Sequence, residues 1–241
     1  MDTPGPERPL LSTIYGGCAS RINRRGLIGC GLLLPVAAKA AWPAEEDLLA
    51  RALKAAGGRD RLARVKALSW AGHARVPTPT TTLELEVETR VEPFLRARSR
   101  SWISGRPETA RTLLIEPEGG FVERGGTRTP LPARQVAHER QQHGLYGYML
   151  LAQAPTRVEG DRLVARKAGL PPVRFRMEGD YLVAADYAVT SPDSDATIAQ
   201  QILLEGEFRD KGVRWPQTIT ILHDNKPYFE LDLTDFTVEL A

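Results

Sequence analysis

Gly212-Val213-Arg214-Trp215-Pro216-Gln217-Thr218-Ile219-Thr220-Ile221-Leu222-His223-Asp224-Asn225-Lys226-Pro227-Tyr228-Phe229-Glu230-Leu231-Asp232-Leu233 decides the fold. Two alternating runs flank a polar break at 223–227, the pattern of an antiparallel hairpin. Val213, Trp215, Ile219 and Ile221 take odd positions in the first arm, and Phe229, Leu231 and Leu233 do so in the second. Successive strand side chains point to opposite faces, so each arm has one apolar and one polar side. Beyond Leu233 the phase changes, with Phe236, Val238 and Leu240 on even positions, which predicts a bulge or bend near Thr234-Asp235. A sheet with one apolar face needs a cover, and the reading of function turns on what covers it.

Working outward, the same alternation recurs. Residues 68–76 place Trp70, Gly72, Ala74 and Val76 on one side, and residues 83–88 alternate without error. Residues 94–102, 112–115, 121–122, 162–166, 173–178, 181–189 and 198–208 read as further strands separated by Gly, Pro and Asp turns. Residues 45–56 read as a helix stopped by Gly57-Gly58, with a further short turn over 59–66. Residues 132–152 form a second helix bracketed by Pro130, Pro132 and Pro155, polar in its first half and apolar around Leu145, Tyr148, Met149 and Ala152. Strands do not alternate with helices, which argues against a parallel sheet. The predicted fold class is mainly β (α+β): a single highly curved antiparallel sheet, or half-barrel, of about ten strands capped by helices.

With 42% hydrophobic and 26% charged residues among 241, the chain carries enough apolar surface for one ordinary globular core. Residues 1–40 read as a cleaved export signal and 41–241 as the single domain. Arg21-Ile22-Asn23-Arg24-Arg25 is a basic start, residues 26–37 a short apolar run, and Ala38-Lys39-Ala40 a small-x-small cleavage site. Paired arginines before a Gly-rich run resemble a twin-arginine signal, with Asn23 and Gly29 departing from the usual residues; the general secretory route is the alternative. The apolar run is too short to span a bilayer comfortably, so no transmembrane segment is expected in the mature chain. Leu27-Ile28-Gly29-Cys30 also resembles a lipoprotein processing box, which gives a second reading as a lipid-anchored protein. The soluble periplasmic reading is preferred, because only four residues separate Arg25 from Cys30.

Removing residues 1–40 takes five basic and two acidic groups from the 32 and 30 of the chain, so 27 face 28. A nearly neutral domain has no electrostatic footprint for nucleic acid. Both cysteines, Cys18 and Cys30, leave with the signal, so no disulfide, thiolate metal site or Cys nucleophile is expected.

Three stretches carry a resemblance to a known family. Residues 55–72, with Gly57-Gly58 and the run Val65-Lys66-Ala67-Leu68-Ser69-Trp70, look like its helix, double glycine and first strand. Residues 132–152 sit where it places a lid helix. Val213-Arg214-Trp215-Pro216-Gln217-Thr218-Ile219 followed by Asp224-Asn225-Lys226 looks like its closing hairpin. The whole resembles the LolA/LolB-like periplasmic lipoprotein-carrier superfamily. That resemblance implies a half-closed barrel whose apolar hollow, capped by helices, binds acyl chains or other greasy ligands without chemistry and without a cofactor.

The residues offer little catalytic chemistry. His138-Glu139-Arg140-Gln141-Gln142-His143 approaches the zinc-protease helix motif with one residue too many. Five helical steps put the imidazoles roughly 140° apart, against about 40° for four, so they do not share a metal. A polar, exposed helix face is expected there. His73 falls on the polar side of its strand and His223 beside a turn, where exposure is the default. Gly119-Gly120 and Gly125-Gly126 read as hairpin turns. Glu84, Glu86 and Glu88 face Arg96, Arg98 and Arg100 on the next strand, a solvated outer face of cross-strand ion pairs each worth about 0.2–1 kcal/mol, or else an anion site at the arginines.

The expected function is therefore a non-enzymatic periplasmic binding protein for a hydrophobic or lipid-like ligand or lipoprotein acyl chain. Leu85, Val87, Tyr148, Met149, Leu150, Val173 and Phe175 are the expected ligand-facing residues. Two alternatives stand beside it. One is an envelope interaction or sensor module with a closed core, meeting an envelope protein through a strand edge or the lid helix. The other is a hydrolase using His73, His138 or His223 with a carboxylate.

Overall fold

The computed structural model describes residues 44–241. The export signal expected over residues 1–40 lies outside the described residues.

The first wing of the structure is a meander of six strands: β1 (Val65–Pro77), β2 (Thr82–Glu92), β3 (Arg96–Ile103), β4 (Arg106–Glu116), β5 (Gly119–Arg124) and β6 (Thr127–Pro130). The second wing is β7 (Thr156–Glu159), β8 (Arg162–Ala165), β9 (Val173–Glu178), β10 (Tyr181–Thr190), β11 (Thr197–Glu205) and β14 (Thr218–His223). β15 (Lys226–Leu240) lies between β1 and β14 and joins the wings. The result is one open, antiparallel sheet of thirteen strands in the order β6-β5-β4-β3-β2-β1-β15-β14-β11-β10-β9-β8-β7. β12 (Phe208–Asp210) and β13 (Val213–Trp215) form a separate two-stranded sheet. Among the described residues three helices accompany them: α1 (Ala44–Ala56), α2 (Arg59–Ala63) and α3 (Ala133–Met149).

The hairpin of residues 212–233 forms the seam of the sheet, with one correction. Its first arm is broken: Pro216 supplies no N–H, Gln217 bonds back to Glu205, and β13 turns away to pair with β12. The second arm pairs with β14 through a two-residue turn in which Asp224 and Asn225 both have positive φ, as a type I′ turn requires. The expected phase change is present. Ala71 faces Asp235 and Gly72 faces Leu233, so Thr234 is the unpaired residue of a bulge. Gly72 admits the bulged strand closely: a Cβ there would stand 2.4 Å from the Asp232 carbonyl oxygen. On one face Trp70, Ala74, Ile219, Leu231, Leu233, Phe236 and Val238 are buried, while His73, Arg75 and Thr234 point outward.

About ten strands were expected, and the described residues form fifteen. The missed β6 and β7 read Thr-Arg-Thr-Pro and Thr-Arg-Val-Glu; as the two edges of the sheet they have little to bury and show no apolar alternation. Gly119-Gly120 begins β5 instead of forming the turn, and a Cβ at Gly120 would meet Val136, Ile115 and Leu131 at 3.0–3.1 Å.

β6 and β7 are the opposite edges, and the chain passes between them through α3. That connectivity carries α3 across one face of the sheet, and it packs on β2, β4 and β5 of the first wing and β10 of the second. Gly144 and Gly147 let it sit close, since a Cβ at Gly147 would lie 2.6 Å from the Phe94 ring. Leu151, at φ 56, ends the helical course after the Leu150 cap.

Candidate functional site beneath the roof helix

α3 divides along its length. Its last two turns bury Leu145, Tyr148 and Met149 in the apolar core, followed by Leu150 and Leu151. Val87, Val173 and Phe175 are buried in the same cluster, and Leu85 packs against it half-buried. Six of the seven residues expected to face a ligand thus belong to the one apolar core, and Leu85 packs against it. Tyr148 packs edge-on against Phe94 and donates its hydroxyl to the Pro171 carbonyl at 3.1 Å; burial pushes its phenol upward. The interior is closely filled here. A cavity of about 30 Å³ lined in part by Ala52, Met149, Leu182, Leu204 and Trp215 has room for about one water molecule.

The first turns of α3 are polar, yet they also face inward. Tyr187 of β10, Gln200 of β11 and His223 of β14 stand side by side across three neighbouring strands. Gln142 of α3 lies over them. Its Nε2 donates to Gln200 Oε1 at 2.8 Å, and Gln200 Nε2 returns a bond to Gln142 Oε1 at 2.7 Å. Gln200 Oε1 also accepts from His223 Nε2 at 2.8 Å, and its Nε2 also reaches the Tyr187 hydroxyl. His138 Nδ1 donates to the Thr190 carbonyl at 2.8 Å, which leaves Nε2 to accept from Gln142 at 3.3 Å. Gln141 completes the set by bonding both the hydroxyl and the backbone N–H of Thr190, at 3.1 and 2.7 Å.

Electrostatics follow from burial. Removal from water, reinforced by the neighbouring His138 and opposed by Asp224, lowers the His223 pKa to about 4. The same desolvation holds the Tyr187 phenol well above its ordinary value. Tyr187 and His223 are therefore uncharged near pH 7, and both bond the neutral amide of Gln200. On the other wing, Arg140 of α3 donates to the carbonyls of Glu116 and Pro117, both at 2.6 Å. One helix is tied by polar bonds to both halves of the sheet.

Two expectations about histidine are corrected here. His138 and His223 were expected at the surface; both are buried, and their rings stand 6.4 Å apart. The apolar phase of β14 runs Ile219, Ile221, His223, and that of β11 runs Ile198, Gln200, Ile202, so the alternation itself placed His223 and Gln200 inside. His143 bonds the Glu139 carbonyl at 2.9 Å within the helix. His73 lies on the outer face against Glu86 at 2.9 Å. The histidines offered for hydrolysis therefore divide between the two faces of the sheet. Among the described residues no group of three His, Cys, Asp or Glu side chains comes together to hold a metal.

The outer face is a field of ion pairs, as expected; Glu88 and Arg100 pair across the ladder, while Arg96 and Arg98 meet other neighbours. Glu88 meets Arg100 at 3.4 Å, and Arg96 meets Glu92 at 3.3 Å. Arg98 faces Arg90 across the ladder, and Arg90 turns to Glu239 at 2.8 Å.

Next to the polar row lies an aromatic cluster that the sequence reading did not single out. Trp70 and Trp215 stand 6.2 Å apart at 29°, and Phe236 stacks on Trp215 at 5.4 Å. Tyr146 of α3 covers both indoles, at 4.8 and 6.1 Å. Neither indole Nε1 has a hydrogen-bond partner. Leaving a buried donor unpaired costs roughly 1–3 kcal/mol.

No family model matches the chain, and no curated protein matches it. Solved structures do. A DUF1329 family protein from Desulfovibrio piger aligns with a TM-score of 0.52 at 9% identity, over 80% of this chain and 92% of that one. A LolA superfamily protein from Nitrosomonas europaea aligns at a TM-score of 0.47 and 10% identity, over 79% of this chain and 93% of that one. At these identities the likeness concerns fold alone, and the first alignment carries it. No helix among the described residues is long and apolar enough to cross a membrane. One open antiparallel sheet with helices against one face is the fold this chain shares with the DUF1329 family protein.

Proposed function

We propose that this protein is a non-enzymatic carrier for an apolar, lipid-like ligand, and that the ligand occupies the space beneath α3. The observation that carries the proposal is the passage of the chain between opposite edges of an open sheet through one helix. An open sheet of this length, held on both wings by one roof, is best understood as a half-barrel curved around that helix. The apolar half of the roof supplies a greasy ceiling, and Val87, Tyr148, Met149, Leu150, Val173 and Phe175 with Leu85 form the ligand surface. Each acyl CH₂ shielded there contributes about 0.8 kcal/mol, so a modest opening suffices for binding. Tyr148, Leu150, Val173 and Phe175 are fully buried, so loading displaces the roof. The polar bonds of Gln141, Gln142, His138 and Arg140 hold the closed form. An exported, periplasmic location fits both this role and the leader-like residues 1–40.

The test is native mass spectrometry of the purified full chain, combined with titration by hexadecane delivered from cyclodextrin. A co-purifying lipid, or saturable uptake of hexadecane, supports the carrier. An unliganded mass with no uptake sinks it. The tight packing of Tyr148, Met149 and Phe175 favours one other reading, an envelope interaction or sensor module with a closed core. A stoichiometric protein recovered from envelope extract without lipid supports that reading.

A further inference from the structure

Among the described residues, the interior leaves two buried side-chain polar atoms without a hydrogen-bond partner: Nε1 of Trp70 and Nε1 of Trp215. They are not scattered. Both belong to the aromatic cluster under α3, with their rings 6.2 Å apart. A few residues away the polar row of Tyr187, Gln200, Gln142, His223 and His138 is bonded side chain to side chain. The fold thus has the means to satisfy buried polar groups, and in one place it does not.

An indole N–H only donates, so both orphans lack the same thing, an acceptor. A carbonyl oxygen with two lone pairs is the simplest group that meets two such donors. The surroundings decide its charge. Tyr146 and Phe236 pack on the two indoles and bring no positive charge, and Arg214, which lines the small cavity beside Trp215, is already paired with Glu207 at 2.8 Å, so a buried carboxylate there would lack a free counter-charge and be strongly disfavoured. Tyr146 belongs to the roof helix, so this cluster opens when α3 lifts.

We propose that Trp70 and Trp215 form a hydrogen-bond-donor subsite for the carbonyl of a neutral acyl ester or amide, with the ligand's alkyl chain running into the apolar core beside it. This rests on the carrier reading and narrows it, favouring ester- or amide-linked acyl chains over free fatty acids and plain hydrocarbons. The indoles donate to the carbonyl, and Tyr146 moves aside to admit it.

The experiment uses the full chain labelled with ¹⁵N, with indole signals assigned from Trp70→Phe and Trp215→Phe. Those variants keep an aromatic ring and remove the donor. Methyl palmitate, palmitate and hexadecane are titrated in turn from cyclodextrin. Methyl palmitate is expected to bind most tightly and to move the Trp70 and Trp215 indole protons downfield while leaving that of Trp102 in place. Each Phe variant is expected to weaken methyl palmitate by about fivefold to tenfold, with hexadecane affinity changing less than about twofold. The subsite is overturned if ester and hydrocarbon bind equally and shift the indoles alike. It is also overturned if palmitate binds more tightly than its ester. The same holds if the ester binds with both indoles unmoved, for instance in the open groove of about 800 Å³ beside Leu49, Leu53 and Val158. Any of these leaves the carrier reading standing. Failure of all three probes to bind removes the carrier reading and the subsite with it.

Discussion

The side-chain amides of Gln142 and Gln200 meet head to tail, Nε2 of each on Oε1 of the other, at 2.8 and 2.7 Å. One belongs to the roof helix and the other to the sheet beneath it, so this pair bonds the two directly. Gln200 also carries His223 and Tyr187. Gln200→Leu therefore orphans several buried groups at once, and at roughly 1–3 kcal/mol per unsatisfied group the expected loss is about 3 kcal/mol. The double variant Gln142→Leu/Gln200→Leu is expected to lose clearly less than the two single losses added, because each change removes a partner the other had stranded. Urea unfolding of the four proteins in the cycle measures this. Strict additivity would mean that the two amides do not act as a pair.

The depressed pKa of His223 makes stability depend on pH in a defined direction. The imidazole titrates at about 4 in the folded protein and near 6.5 in the unfolded chain. Between those values the unfolded chain binds more protons, so stability rises with pH across the window. The contribution is complete above pH 6.5 and is lost as pH falls from there to about 4. Its size is about 2–3 kcal/mol. His223→Phe keeps a ring to stack on Tyr228, and Gln200 Oε1 still accepts from Gln142. The variant is expected to show a flatter stability profile between pH 4 and 6.5 in urea titrations. An unchanged slope would assign the pH dependence to other groups.

How far the sequence could be read follows from which residues carry period-2 information. β14, β15, β1 and β2 alternate because one face is buried, and they were legible, including the bulge at Thr234. β6 and β7 lie at sheet edges and bury little, so their sequences hold no alternation to find. The polar row was half legible. His223 and Gln200 sit in phase with buried isoleucines, but a polar residue beside a turn reads as exposed when its partners are unknown. Those partners lie far along the chain: Gln142 is 58 residues from Gln200, and His138 is 52 from Thr190. The pairing of Trp70 with Trp215 is of the same kind, a product of β15 bringing chain ends together.

Gly72→Ala tests the bulge at the seam. The backbone there does not require a positive φ, so any effect is steric. A methyl group would sit 2.4 Å from the Asp232 oxygen and 3.0 Å from Leu233 Cα, both backbone atoms that side-chain rotation cannot move. The expected loss is about 1–3 kcal/mol, the range for overpacking, where alanine for glycine in a free strand would be neutral or better. Thermal unfolding measures it, and a stability equal to the parent's would show that β15 yields at Thr234.

Arg100→Ala is the matching control on the outer face. Arg100 pairs with Glu88 at 3.4 Å and lies over the Trp102 ring at 4.8 Å, both in solvent. Exposed pairs of this kind contribute roughly 0–1 kcal/mol. The variant is expected to lose less than about 1 kcal/mol and to bind hexadecane as the parent does. A large drop in binding would move the ligand site to the outer face.

Phe175→Ala separates a structural role from a ligand-facing one. Phe175 is fully buried, with Leu163 and Ala185 as its strand-register partners on either side. Truncation removes a large buried ring, and losses of about 3–5 kcal/mol are usual for such a change. That loss alone would be the same for any core phenylalanine, so the deciding measurement is binding. If the alkyl chain lies against Phe175, the space left by the ring changes hexadecane affinity, by about threefold or more in either direction. Stability and affinity measured on the same preparations distinguish the cases. A destabilised protein with unaltered affinity assigns Phe175 to the core and moves the ligand path toward Tyr148 and Met149.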